Sequence, residues 1–244
     1  MGQTFTLLPQ VESTNALVME WGKQQKPQGA GCLAFCQTAG RGRLGRTFFS
    51  PEGSGLYFSL LLRPAVTAQT GLAITTAAAV AMAKALEAQG KQPMIKWVND
   101  ILLDNRKVCG ILAQSGFSGG SITPDFVVLG VGLNLCPPTE GFPCELQEVA
   151  GGVFEELPSP QTAVSLVQDF LRFFWAYYAR LEEKDHLTHY QSRNWLLGKT
   201  VTAGAITGRV QGVDSAFRLL VQGEDGEIHP IAAGEVTLGT KNLV

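Results

Sequence analysis

Residues 37 to 46 read Gln37-Thr38-Ala39-Gly40-Arg41-Gly42-Arg43-Leu44-Gly45-Arg46, with three glycines and three arginines in the last seven. Such a stretch has too much backbone freedom and too little apolar surface for a helix interior or a buried strand. The runs on either side, Gly31 to Gln37 and Leu56 to Leu62, read as buried strands. The fold must therefore carry an exposed, glycine-hinged loop between two core strands. Arginine offers a rigid fork of donors that matches phosphate oxygens. Glycine lets backbone approach a ligand closely. The loop reads as a cover over an anion, although a solvated basic turn or a nucleic-acid patch has the same composition. A net charge of −2 argues against an overall nucleic-acid-binding surface.

The rest of the chain reads as alternating elements. Residues 3–8 alternate like a strand. Thr14 is placed to cap a helix running to about Gln25. An alanine-rich helix spans about Ala68 to Ala88 and ends at Gly90. Strands are expected over Met94–Val98, Ile101–Leu103, Val108–Ser115 and Phe126–Leu133, with hairpin turns at Asp104-Asn105 and Gly119-Gly120. An irregular segment runs from Pro137-Pro138 to about Ser159. Ser159 and Pro160 then suit the N-cap and first turn of a long helix. Its aromatics, Phe170, Phe173, Phe174, Trp175, Tyr177 and Tyr178, form a packing stripe. Composition shifts after about Trp195. Short runs at Val201–Ala203, Ile206–Val213, Phe217–Val221, Glu227–Ile231 and Glu235–Leu238 suit a small β-barrel. The expected division is 1–195 and 196–244.

With 45% hydrophobic and 16% charged residues, the chain has the makings of a core and is not a disordered one. No apolar run approaches the roughly 20 residues of a membrane span, and no signal peptide is visible at the N-terminus. Neither a membrane nor DNA is expected as a partner. The five cysteines, Cys32, Cys36, Cys109, Cys136 and Cys144, are odd in number and lack a C-x-x-C spacing. They read as free thiols in a reducing, cytoplasmic setting. Cys32 and Cys36, four apart in a strand-like run, should face one side as small hydrophobes. His186 and His189 lie about a helical turn apart, but no second ligand pair accompanies them, and no metal site is expected.

Four further clusters accompany the loop: Glu12-Ser13-Thr14-Asn15; Lys96-Trp97-Val98-Asn99-Asp100; Lys107-Val108-Cys109-Gly110-Ile111-Leu112; and Gly130-Val131-Gly132-Leu133-Asn134. In this order and spacing the five elements resemble those of the biotin–protein ligases. That resemblance covers residues 5 to 135 strongly and the remainder more weakly. It implies an α+β fold: a mixed, largely antiparallel sheet with helices on one side, of the class II synthetase-like biotin/lipoate ligase type, plus a small C-terminal SH3-like barrel. It also implies ATP-dependent activation of biotin as biotinyl-5′-AMP, with Mg2+, and transfer to a lysine of a carboxylase's biotin carboxyl carrier domain.

The same resemblance assigns roles. Gly40, Arg41, Gly42 and Arg43 wrap biotin and the adenylate phosphate. Ser13, Thr14, Asn15 and Gln37 face the ureido ring and its surroundings, and Tyr57 lies beside the biotin tail. Gly110 and Gly130 leave room where a side chain would collide with the ligand. Lys107 touches both the carboxylate and the α-phosphate. Arg41, Arg43, Arg46, Phe48, Asn99, Lys107 and Asn134 serve ATP. Lys107, Arg43 and Asp100 carry the catalytic expectation, Asp100 by orienting the incoming lysine and helping remove its proton. Without the resemblance, Lys107 reads as a solvated residue after a hairpin, Asn99-Asp100 as a turn, Ser13 and Thr14 as helix caps, and Tyr57 as a strand aromatic. Two positions depart from the family pattern. Phe48 stands where tryptophan often stacks on adenine, and Val98 replaces a proline. The alternatives are a lipoate–protein ligase and a biotin-responsive repressor. For the latter, the Ser13-Thr14-Asn15 element begins too early to leave room for a DNA-reading domain. Monomer and homodimer both remain open.

Overall fold

The computed structural model describes residues 5–64, 70–117 and 124–238. The chain runs β1 (Phe5–Leu8), α1 (Thr14–Lys23), β2 (Gly31–Ala34), β3 (Gly55–Leu62), α2 (Thr70–Glu87), β4 (Met94–Lys96), β5 (Asp100–Leu103), β6 (Arg106–Gly116) and β7 (Phe126–Asn134). It continues through α3 (Pro160–Tyr178), α4 (Leu187–Gln191), β8 (Thr200–Ala203), β9 (Ile206–Val213), β10 (Leu219–Gly223), β11 (Ile228–Ile231) and β12 (Val236–Leu238). The Gly119-Gly120 turn, residues 3–4 of the first expected strand and the start of the alanine-rich helix at Ala68 lie outside the described residues.

β1 to β7 form one seven-stranded sheet in the order β1-β2-β3-β7-β6-β5-β4. Only β1 and β2 pair in parallel; the other neighbours are antiparallel. The sheet is thus mixed and largely antiparallel, as expected. Every residue of β3 is buried, because both faces of the central sheet are covered. Phe58, Leu60 and Leu62 join Val127, Leu129 and Val131 in the main core beneath α2 and α3. The intervening Leu61 joins Cys32, Val128 and Val18 of α1 in a second core. The expectation of helices on one side therefore holds for α2 and α3, and α1 corrects it by lying on the opposite face.

α2 is apolar almost all round. Its alanines, Ala77, Ala78, Ala79, Ala81, Ala83 and Ala85, are fully buried, so sheet and α3 both approach its backbone closely. The aromatic stripe of α3 packs as expected: Phe170 meets Phe58 edge-on at 5.2 Å and stacks on Phe174 at 5.7 Å. Ser159 caps this helix by accepting from Thr162 N.

Three local readings are corrected. Ser13, not Thr14, is the N-cap of α1: it has extended dihedrals and accepts from Ala16 N. Thr14 is already helical, and its hydroxyl turns away to Gln37. β2 stops at Ala34, because Gln37 leaves the sheet to bridge Val11 and to donate its N–H to Ser50 O. Cys36 thus lies outside the strand and does not share Cys32's packing. His186 is fully buried, with Nε2 3.0 Å from Thr76 Oγ1 and its ring stacked 4.7 Å from Phe217. Burial pushes its pKa down to about 4.

β8 to β12 form a five-stranded antiparallel sheet ordered β11-β10-β9-β8-β12. β11 and β12 are its two ends, and among the described residues they do not pair with each other. Phe217 joins it to the rest: its ring is buried against His186 and Tyr190, and its carbonyl accepts Trp97 Nε1–H at 2.9 Å.

Candidate active site

The α1 face of the large sheet carries a cross-strand row: Tyr57, Gly132, Gly110, Asp100 and Lys96 lie opposite one another on β3, β7, β6, β5 and β4. One register step away lie Ser59, Gly130 and Leu112. Paired strand residues share a face, as do residues two apart on one strand. Gly110, Gly130 and Gly132 therefore thin the sheet at one place and leave a trough. A methyl group on Gly132 would meet the Phe48 ring at 2.6 Å, and one on Gly110 would meet it at 2.9 Å. A cleft of about 440 Å³, counting its open mouth, lies over this floor.

At one end stand Ser13, Thr14 and Gln37. Gln37 Oε1 accepts from Thr14 N at 2.9 Å and from Thr14 Oγ1 at 3.1 Å, and its Nε2 donates to Ser50 Oγ at 3.0 Å. Asn15 turns inward. Its Nδ2 donates to Gln114 Oε1, and its Oδ1 accepts from Ser59 Oγ. Its polar atoms thus support the site from below.

At the other end stand the cations. Lys107 reaches this face through a bulge. Ile101 pairs with Cys109, but the next residue, Leu102, pairs with Lys107, so Val108 is extra. Without it, Lys107 would alternate to the α2 side, where Cys109 is buried. A strap clamps its backbone, with Lys107 N donating to Val149 O and Gly151 N donating to Lys107 O. Lys107 Nζ lies 2.7 Å from Asp100 Oδ1 and 5.6 Å from the Phe48 ring centre. That buried carboxylate oxygen has the charge contact but no well-aligned hydrogen bond.

The arginine loop closes on itself over this end. Phe48 N donates to Gly40 O, Gly42 N donates to Arg46 O, and Arg41 bridges Thr47. Leu44 and Gly45 take positive φ at its tip. Gly40 is required where the loop leaves the core, since a Cβ there would sit 2.7 Å from Ser50 Oγ. Arg43 donates to Asn99 Oδ1 at 3.0 Å and to Gly234 O at 3.4 Å. Arg46 pairs with Glu235 at 2.5 Å.

Of the residues singled out in the sequence, Ser13, Thr14, Asn15, Gln37, Arg41, Gly42, Arg43, Phe48, Asn99, Lys107, Gly110 and Gly130 line the cleft. The others stand outside it. Tyr57 is buried beneath the loop, edge-on to Phe48, with its hydroxyl donating to Pro51 O. Asn134 donates to Gly151 O and holds the strap. Arg46 is exposed and engaged by Glu235, Gly40 shapes the loop, and Asp100 backs Lys107. Sequence reasoning missed Gly132, which was legible as the second glycine of its motif, two residues from Gly130 and so on the same face. It also missed Ser59, Gln114, Gly234 and Glu235, for which the sequence holds no local signal. Val98 is buried, and its carbonyl accepts from Tyr190 Oη at 3.1 Å.

Residues 7–134 match the biotin/lipoate A/B protein ligase family, and residues 196–239 match the biotin protein ligase C terminal domain. The bifunctional ligase/repressor BirA of Bacillus subtilis is 31% identical over 98% of this chain and 75% of that protein. The biotin–[acetyl-CoA-carboxylase] ligase of Paracoccus denitrificans is 30% identical over 96% of this chain and all of its own length. Among solved structures, the biotin protein ligase of Aquifex aeolicus in complex with biotin and ATP superposes with a TM-score of 0.78. It is 26% identical, covering 98% of this chain and 99% of that one.

Proposed function

The chain belongs to the biotin/lipoate A/B protein ligase family, and from that premise we propose how its cleft performs ATP-dependent biotin ligation. One observation carries the assignment of sites. A single glycine-floored trough has a head of neutral donors and acceptors at Ser13, Thr14 and Gln37 and a cationic end at Lys107, Arg43 and Arg41. Biotin has that same polarity: a ureido ring at one end and a carboxylate at the other. The glycines give its ring system a close, apolar floor.

In the first step a biotin carboxylate oxygen attacks the α-phosphorus of ATP, and pyrophosphate leaves. Lys107 turns from Asp100 to the shifting negative charge, a task suited to a compact, rotatable ammonium. Arg43 and Arg41 hold the phosphate oxygens, with Arg46 towards the phosphate tail. Asn99 keeps Arg43 in position, and Phe48 yields the trough and stacks on the adenine. Gly40 and Gly42 let the loop close over the mixed anhydride and exclude water. In the second step the carrier lysine's amine attacks the acyl carbon, AMP leaves and the amine loses a proton. Asp100, released by Lys107, orients that amine and takes the proton. Magnesium accompanies the nucleotide. Asp100 is a carboxylate suited to a cation held chiefly by phosphates, and no step above depends on it.

The acceptor in this reading is a carrier domain of a biotin-dependent carboxylase, met in the cytoplasm without DNA. The division at about residue 195, with an SH3-like second part, belongs to the same reading. The test is incubation with ATP, magnesium and biotin, followed first by pyrophosphate exchange and then by the mass of an added carrier domain. Biotin-dependent exchange and a biotinyl mass increment are expected. Exchange that needs lipoate and ignores biotin would refute the reading, since a dithiolane offers nothing to the donors at the head.

A further inference from the structure

We propose that Ser59, which does not line the cleft, is the positioning residue that sets how the head of the cleft reads a ureido group. The inference rests on the biotin reading above. Ser59 is the one polar side chain of β3 beyond its tyrosine, and it is fully buried. A buried hydroxyl is costly unless bonded. Here it stands 2.8 Å from Thr14 Oγ1 and 2.6 Å from Asn15 Oδ1, and its one hydrogen is shared between these two acceptors. It can reach Asn15 because Gly130, its cross-strand neighbour, leaves room for that amide.

Counting hydrogens fixes the direction of the network. Asn15 Nδ2 faces Gln114 Oε1 at 2.8 Å and the Leu112 carbonyl at 3.5 Å, so the acceptor Oδ1 must face Ser59. Ser59 therefore supplies the hydrogen between them. Gln37 Oε1 must face Thr14, whose backbone N–H it accepts, and Thr14 Oγ1 gives that oxygen its own hydrogen. Held by Ser59 from below and bonded to Gln37 at its side, Thr14 Oγ1 offers the cleft a lone pair and no hydrogen. Gln37 Nε2 spends one hydrogen on Ser50 and keeps the other. Ser13 Oγ accepts from Ala16 N and keeps its hydrogen. The head thus presents two donors and, between their roles, one obligate acceptor. A urea offers the complement, a carbonyl oxygen with adjacent N–H groups.

Without the Ser59 hydroxyl nothing donates to Thr14 Oγ1; its hydrogen is then held only by the 3.1 Å bond to Gln37 Oε1, which Thr14 N already serves, and it can rotate into the cleft, where it opposes a ligand N–H. Asn15 Oδ1 also loses its hydroxyl donor. The effect should fall on ureido recognition and leave phosphate chemistry alone.

The experiment is biotin-dependent pyrophosphate exchange by the full chain carrying Ser59→Ala, Ser59→Cys, Thr14→Val, or Ser59→Ala with Thr14→Val. Folding is checked by circular dichroism. No exchange by the unmodified protein would overturn the biotin reading itself, which is a separate failure. Given exchange, Ser59→Ala should raise KM for biotin roughly tenfold, the scale of one misdirected hydrogen bond. KM for ATP and kcat should stay within about twofold. The double variant should bind biotin no worse than Thr14→Val alone, because Ser59 acts through Thr14. An unchanged biotin KM, equal losses for biotin and ATP, or additive losses in the double variant would overturn the proposal. If Ser59→Ala does not fold, Ser59→Cys preserves volume with a weak donor. An elevated biotin KM in that variant supports the proposal, and an unmodified KM overturns it.

Discussion

Gly130 and Gly132 lie two residues apart on one face of β7, yet a methyl group should have opposite consequences at the two. Neither has a positive φ, so alanine fits the backbone and its effect comes from what the Cβ meets. At Gly130 the new carbon would sit 2.7 Å from Asn15 Cγ and closer still to its Oδ1. Asn15 is buried and bonded to Ser59 and Gln114, so it cannot move without breaking both bonds. Leaving such groups unpaired costs about 1–3 kcal/mol apiece, offset by the ~0.4–1 kcal/mol that Gly→Ala gains through the unfolded chain. Gly130→Ala should therefore lose about 3 kcal/mol and drop Tm by roughly 6–12 °C. At Gly132 the obstacle is the Phe48 ring, half-buried on the loop and free to swing outward. Gly132→Ala should shift Tm by no more than about 3 °C while weakening ligand binding, since it fills the trough. Thermal unfolding of both variants without ligand, followed by titration with biotin, separates the two. A Gly130→Ala protein as stable as the parent, or a Gly132→Ala protein equally destabilised, would show that the network under Thr14 does not have the rigidity assigned to it.

Lys107→Ala should keep the fold, because its side chain contributes to no core, and should slow pyrophosphate exchange by about 10²–10³; turnover equal to the parent's removes Lys107 from the mechanism. Arg43→Ala should release the adenylate faster and raise self-biotinylation relative to carrier labelling, because the phosphate fork and the contacts to Asn99 and Gly234 go together. An unchanged adenylate off-rate together with a salt-dependent loss of DNA affinity would point instead to the nucleic-acid role. His186 supplies a pH test. Its folded pKa of about 4 lies below the ordinary 6.5, so between those values the unfolded chain binds the proton and the native chain does not. Stability should fall on acidification from pH 6.5, by roughly 3 kcal/mol in all, and level off from this source below about pH 4. Denaturant unfolding of His186→Gln should lack that slope; a slope equal to the parent's would place its origin elsewhere.

Much of this architecture was legible because hydrophobic periodicity reports local geometry well. The α3 helix, its Ser159 cap and the run of strands followed from spacing, whereas the largely antiparallel pairing of those strands came from the family resemblance. Gly110 and Gly130 were placed at the site by the family resemblance; Gly132, two residues from Gly130 and so on the same face, escaped notice. What stayed hidden depended on registers between distant segments. The bulge at Val108, which brings Lys107 to the cleft, arises from how β5 and β6 align and leaves no mark in either strand. Tyr57 was assigned to the ligand because its motif position suggested it, but the loop returning over Pro51 covers it. The side on which α1 packs depends on the hand of the crossover between the parallel strands β1 and β2, a property that amphipathicity does not encode. Glu235, far along the chain, shows no feature that sets it apart from any exposed carboxylate.

The contact between Arg46 and Glu235 spans 189 residues, and that separation has a consequence in time. A ribosome adding about 5–20 residues per second needs roughly 10–40 s to pass from one to the other. Throughout that interval the growing chain can hold the arginine loop, the glycine floor and Lys107, but not the carboxylate and carbonyl that fasten the loop from the second sheet. The last piece of the lid is thus translated after the whole of the site it covers. A nascent chain that reached its ligands early would form the mixed anhydride beneath an unlatched cover, close to the lysines of the ribosome itself. With the fastening on Gly234 and Glu235, just before β12, full closure waits until those residues have emerged and folded.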